Sequence, residues 1–257
     1  MIDGLTPEQR LSWVRTLVAQ EPTSSDGAQG TAAVLGQVCR SLTRAVHLSG
    51  AAISLMNEGG PAGIVAGTGD DWKRIEELPF ILGEGPCWDA YESRQPVLVR
   101  DVGSHDETRW PGYSVAALEN GVRAVYAFPL KVGLARLGVL NLYRKEPGDL
   151  TTGDLALAHA FADLATSLLI DGQEEAGAGA VPSGVDRALG SRFEVYQAQG
   201  MVMIQSGVTL PDAMARLRAH AYAHDRTLGQ VARDVVGRLL VFEPDHLDPG
   251  LEKGSGT

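Results

Sequence analysis

Cysteine is nearly missing from this chain of 257 residues: Cys39 and Cys87 are the only two, too few for the disulfide framework that staples small secreted domains. Long apolar runs are missing as well, since none approaches the ~20 residues that a membrane-spanning helix needs. The N-terminus, MIDGLTPEQR, lacks the charged-then-apolar design of a secretory signal. Together these absences point to a cytoplasmic protein without membrane contact. An excess of positive charge is also lacking. The net charge is −10, which excludes a chain that coats nucleic acid with its whole surface and confines any such contact to a local set of arginines. There is no Walker loop, no Gly-x-Ser-x-Gly and no pair of catalytic carboxylates. Cys39, Cys87 and His105 have no metal-ligand spacing, so neither a catalytic site nor a metal site is expected, and no cofactor is identified. No internal repeat is evident.

What remains is a globular composition, 44% apolar and 21% charged, long enough for two domains of ordinary size. The C-terminal fifth has the cleanest punctuation. Leu189, Phe193, Tyr196, Gly200 and Met203 alternate by four and three, a coiled-coil seam, while Val195, Ala198 and Val202 form a second apolar stripe. Gly207 stands where a left-handed cap is wanted. Thr209 is an N-cap with Pro211 and Asp212 in the first turn, and the helix it opens places Leu210, Ala213, Met214, Leu217 and Ala221 on its core face. Thr227 and Gln230 form a capping box, followed by Leu228, Val231, Ala232, Val235 and Leu239 as the buried face of a third helix.

Arg216 lies on one flank of the middle helix, and Arg218 and Tyr222 lie one turn apart on the other, beside the small Ala215 and Ala219. Arg226, Arg233 and Arg238 fall outside the third helix's apolar face. Solvated surface charge and a nucleic-acid contact both fit these arginines, because Glu194, Asp212, Asp225 and Asp234 partly offset them. His220 and His224 read as edge packing.

Earlier in the chain, residues 6–20 read as a helix capped by Thr6, with Leu11, Val14, Leu17 and Val18 inward, and residues 31–47 as a second. Strands are expected over 51–56 and 63–66, a short helix or turn over 72–78, a short strand over 80–82 and another over 96–99. A helix follows near 113–120, then two strong strands over 124–132 and 137–143 and a long helix over 151–170. That order describes an α+β domain around an antiparallel sheet.

Its most unusual stretch is Gly83-Glu-Gly-Pro-Cys-Trp-Asp-Ala90, where two glycines permit close approach and Pro86 opens a helix. Cys87, Trp88, Asp89, Arg109 and Trp110 are the candidate lining of a sensor pocket, with apolar walls and two polar handles. Trp72 is a further candidate wall, although tryptophans of a small domain also serve simply as core. Cys87 itself fits either a buried small residue or a thiol activated by the helix N-terminus, with His105 the one base in reach by position.

AxGMVM at 198–203, Ala213, LRxxA at 217–221 and LxxVA at 228–232 together resemble the ANTAR domain, a three-helix RNA-binding module of transcription antitermination regulators. FPLKVGLARLGVLNLYR, followed by the long helix, resembles a GAF domain, and GEGPCWDA with RWPGY is similar to the GAF half of GAF–ANTAR regulators common in actinobacteria. The resemblance implies a sheet of five or six strands with a pocket on one face that takes a small molecule. It further implies a C-terminal module that binds hairpin RNA in a nascent transcript. Arg216, Arg218, Tyr222, Arg226, Arg233 and Arg238 are the expected RNA-binding residues, led by Arg218 and Tyr222, since a loop base can stack on either. The expected organisation is an N-terminal helical segment (1–23), a GAF-like sensor (24–170), a linker (171–185), an ANTAR-like domain (186–242) and a disordered tail (243–257). A homodimer through the four–three seam is also expected. A DNA-binding helix pair and a GAF-type thiol reductase built on Cys87 are the alternative functions. The reductase would need Cys39 as its resolving partner. The N-terminal half has no acidic receiver pocket, so phosphorylation is not the expected input.

Overall fold

The computed structural model describes residues 4–22, 28–57, 60–69, 72–177, 185–224 and 226–243, and for 186–192 the backbone alone. The chain divides into two compact units, residues 1–190 and 191–257.

The first unit is built on a five-stranded antiparallel sheet with strand order β2-β1-β5-β4-β3, formed by β1 (Gly50–Asn57), β2 (Gly60–Gly69), β3 (Val97–Val99), β4 (Ala124–Val132) and β5 (Ala135–Arg144). Helices cover both faces. On one lie α1 (Pro7–Ala19), α2 (Gly30–Ala45) and α6 (Thr152–Ala176). On the other lie α3 (Trp72–Leu82), α4 (Pro86–Ser93) and α5 (Pro111–Glu119). The two-residue period of a strand sorts the side chains. Ala51, Ile53, Tyr126, Phe128, Leu140 and Leu142 join the core under α1, α2 and α6, while Ala52, Met56, Val125, Ala127, Val139 and Tyr143 face α3, α4 and α5.

Local signals set most helix starts. Thr6 and Gln9 close a capping box on α1, and Thr151 with Asp154 closes one on α6. One expected strand is not formed. Phe80–Leu82 is no strand but the end of α3, which continues through Pro79. A three-residue apolar run has no period of its own, and burial of Leu78, Pro79 and Phe80 favours the helix despite the lost N–H. The long helix α6 also runs six residues beyond Ile170, to Ala176, so the first part of the expected linker is helical. By length and composition α6 is apolar enough to cross a membrane. Leu157, Phe161, Leu164 and Leu169 instead bury it against the sheet and α1 and α2.

The second unit is a three-helix module of α7 (Val185–Ser206) from Ser191 onward, α8 (Leu210–Ala223) and α9 (Leu228–Val236). Val195, Ala198 and Val202 of α7 are buried, as are Ala213, Met214, Leu217 and Ala221 of α8 and Leu228, Val231, Ala232 and Val235 of α9. Gly207 takes φ +65° and ends α7, Thr209 caps α8, and Thr227 with Gln230 boxes α9. Leu210 and Leu239 are not core. Leu210 is the first residue of α8 and stays 48% exposed, whereas Leu239 lies beyond the helix end at Gly237 and is 82% exposed. Arg238 between them is left-handed, φ +58°, which swings the chain off the helical period before Leu239. The expected 243–257 tail, apart from Glu243, and residues 178–184 of the expected linker lie outside the described residues.

Candidate sensor cleft and nucleic-acid surface

Four of the five expected pocket residues meet at one place. Gly83, with φ +75°, and Gly85, with φ +141°, turn the chain from α3 into α4 through conformations that side chains resist. The turn leaves an open cleft of about 520 Å3 lined by Glu84, Trp88, Asp89, Glu92, Arg109 and Trp110. Trp88 is fixed by its indole N–H, which donates to the Pro79 carbonyl at 3.1 Å. A Cβ on Gly60 would sit 2.1 Å from its ring, so only glycine fits there. Trp110 donates to Asp89 Oδ1 at 3.4 Å and carries the Arg109 guanidinium 4.1 Å above its ring. Glu107 holds that guanidinium through two bonds of 2.9 and 2.6 Å. The same bonds hold the Glu107 carboxyl below its usual range. Glu84 accepts the Tyr113 N–H at 2.9 Å, satisfying one free donor of the first turn of α5.

Cys87 points elsewhere. It packs with Met56, Ala90, Tyr91, Ala127 and Val139 beneath the cleft, and burial, with the Glu76 charge adding to it, pushes its thiol well above the ordinary value. Cys39 is also buried, in the core on the opposite face of the sheet, with its thiol raised by burial as well. Trp72 leaves the cleft too, lying across Gly67 and lining a separate small recess with Asn120 and Tyr143.

A polar cluster that composition does not flag sits under α3. Glu76 is buried, accepts the Ser54 hydroxyl, and takes the Asn141 amide N–H at 2.9 and 3.1 Å on its two oxygens. The Asn141 Oδ1 is buried with no hydrogen-bond partner. The one available signal is that Ser54 and Asn141 interrupt otherwise apolar strands at positions facing the same side of the sheet.

In the second unit Tyr222 projects from α8 with 79% of its surface exposed. Arg218 does not share that exposure: it is half-buried, and its guanidinium is pushed down by burial, with Tyr196 of α7 acting in the opposite direction. Arg216 is half-buried. Arg226 is tied to Asp234 at 2.6 Å, while Arg233 and Arg238 are exposed. His220 and His224 stack at 4.0 Å, and His220 meets Phe242 edge-on at 5.5 Å, which makes them the packed rim of α8. Along the expected seam Phe193 is 69% exposed, Tyr196, Gly200 and Met203 are half-covered, and the Leu189 side chain is outside the described residues.

Comparison with known proteins matches residues 28–169 to the GAF domain and residues 184–236 to the ANTAR domain. Among solved structures, the GAF domain of a phosphoenolpyruvate-protein phosphotransferase from Coxiella burnetii is 16% identical with a TM-score of 0.50, covering 66% of this chain and 95% of that one. The corresponding Acinetobacter domain is 12% identical with a TM-score of 0.48, covering 64% and 93%. A free methionine-R-sulfoxide reductase from Neisseria meningitidis is 18% identical with a TM-score of 0.43, covering 63% and 87%. At these identities the likeness concerns the fold alone. No curated protein matches the chain. The chain belongs to the GAF domain family and carries an ANTAR domain after its GAF domain, the architecture of a regulator.

Proposed function

We propose that this protein is a signal-responsive, RNA-binding regulator of transcription antitermination. The observation that carries the proposal is the ANTAR match over all three C-terminal helices, since ANTAR domains are RNA-binding. Local charge supports it: residues 191–243 hold six arginines against five carboxylates, a net +1 within a chain of −10. Tyr222 supplies an exposed ring for a loop base, with Arg233 and Arg238 accessible to phosphate. Binding would stabilise a hairpin in nascent RNA at the expense of a terminator, with no bond made or broken by the protein.

The GAF domain would supply the signal by taking a small molecule in the Trp88–Trp110 cleft. A thiol reductase built on Cys87 is disfavoured, because both thiols are buried and raised, on opposite faces of the sheet. The exposed Phe193 supports a homodimer through the part of α7 around that residue, which light scattering of the full chain at micromolar concentration tests directly. The decisive experiment for the function is crosslinking in cells followed by sequencing of the attached RNA. Recovery of hairpin-containing leader transcripts is expected, and preferential recovery of duplex DNA would replace the proposal with a DNA-binding regulator.

A further inference from the structure

The second half of α7 and residues 238–241 enclose an open groove of about 530 Å3. Gln197, Gly200, Met201, Ile204 and Gln205 line it from the helix, and Arg238 and Val241 line it from the other side. That second wall is pinned: the Phe242 N–H donates to Gln205 Oε1 at 3.2 Å, and the Ser206 hydroxyl donates to the Phe242 carbonyl at 3.3 Å. Arg238 is held at the rim with a left-handed backbone, unusual for a residue with a side chain.

Two features of the groove have no explanation among the described residues. Ile204 and Val241 are 75% and 59% exposed, large apolar side chains left facing solvent. Gly200 sits in the interior of a helix, where glycine is unfavourable, yet a Cβ there would meet nothing within 4 Å. Among the described residues neither packing nor torsion calls for glycine, and the bare backbone leaves room there for the close approach of a ligand.

The lining identifies what approaches. No carboxylate lines this groove in an acidic protein, whereas the sensor cleft has three. A guanidinium and two primary amides rim apolar walls. With Gln205 Oε1 accepting from the Phe242 N–H, the donor end of this groove-lining amide is what it has to offer a ligand. A second helix laid into the groove would bury those amides and the guanidinium against apolar side chains, at a desolvation cost. An unstacked nucleobase has flat apolar faces, a hydrogen-bonding edge and an anionic phosphate, and so satisfies every group present.

Building on the RNA-binding proposal above, we propose that this groove receives a flipped-out base of the hairpin loop. Gly200 forms the floor, Met201, Ile204 and Val241 the walls, Gln197 and Gln205 read the base edge, and Arg238 meets its phosphate.

The test uses the full chain and a pool of hairpin RNAs with one fixed stem and randomised loops, selected by filter retention. Gly200→Leu should fill the groove and lower affinity for the selected hairpin at least tenfold, with no fall in melting temperature. Gly200→Ala, a better helix former, should raise the melting temperature while weakening binding by a smaller factor. Arg238→Ala should reduce the slope of log affinity against log salt by about one. Removing the base at one loop position should cost as much as Gly200→Leu, and the two changes together should cost no more than either alone. If the parent retains hairpins and Gly200→Leu binds them equally well, the groove inference fails while RNA binding stands. If the parent retains no hairpin from the pool, the RNA-binding proposal itself falls. A Gly200→Leu protein that turns from dimer to monomer with unchanged RNA affinity overturns the inference in favour of a second copy in the groove.

Discussion

The two units place their polar residues in opposite ways. The sheet unit draws them inward: Ser41, Ser54, Glu76, Ser114, Asn141 and Thr166 are all buried, and its cleft collects Glu84, Asp89 and Glu92 around two indoles. In the helical unit Ser206 is the one buried polar residue among those described, and the arginines lie at or near the surface. Net charge separates them further, since residues 1–190 account for −9 and residues 191–243 for +1. Discriminating a small molecule needs desolvated polar groups with fixed geometry, whereas meeting a polyanion needs accessible donors and an absence of nearby carboxylates. On the proposed function, the chain would meet both demands with surfaces that belong to different units.

Core truncation should break this comparison hardest if the bodies are not independent. Phe128→Ala should destabilise the sheet unit by about 3–5 kcal/mol and Leu217→Ala the helical unit by about 2–5 kcal/mol. Hydrogen exchange read peptide by peptide should show each loss confined to its own unit, and a joint collapse would dissolve the distinction. Next in size, Glu76→Ala leaves Ser54 and Asn141 without their buried partner. It should cost the sheet unit about 1–3 kcal/mol for each group left unsatisfied, measured by urea unfolding, with hairpin affinity unchanged when both units remain folded.

Tyr222→Ala sharpens the comparison from the other side. Loss of a stacking ring worth about 1–3 kcal/mol should weaken hairpin binding roughly tenfold, with the circular dichroism spectrum and melting temperature retained because no cavity opens. Titration gives a smaller effect. Burial lowers the folded pKa of His159 in the sheet unit and of His220 in the helical unit. The unfolded chain therefore binds more protons, so their contribution is present above the ordinary histidine value near 6.5 and is lost as pH falls through the lowered folded values. Both units should soften on acidification below that value, and His159→Gln should flatten the trend in the sheet unit alone. Smallest of all, Cys87→Ala should leave hairpin affinity within twofold of the parent. Neither native thiol should react appreciably with a disulfide reagent at pH 8 before unfolding.

Local chemistry made much of this legible in sequence. The capping residues Thr6, Thr151, Thr209 and Thr227 start helices where they stand, because a cap depends on residues three positions away. The cleft was also foreseeable, since the double glycine of 83–85 and the Arg109-Trp110-Pro111 turn each announce unusual backbone. Features that depend on distant partners were not. Glu76 meets Ser54 and Asn141 from 22 and 65 residues away, and nothing in WKRIEELPF marks a buried acid. On a helical wheel Arg218 faces water, yet it is half-buried, with Tyr196 of the neighbouring α7 close enough to act on its charge. Leu239 kept the apolar period of α9, but the backbone broke at Gly237 and Arg238 before reaching it.

The Arg109–Trp110 stack would make the proposed sensor cleft self-reporting. An indole with a cation over its face and a carboxylate on its N–H has an emission spectrum set by both neighbours. An incoming molecule that takes the face of Trp110 must displace the guanidinium, and one that takes Asp89 must release the indole N–H. Occupancy of the proposed site would thereby register in the part of the fluorescence that Trp110 contributes beside Trp13, Trp72 and Trp88, and a library of metabolites can be screened against the unlabelled chain by the shift in its emission.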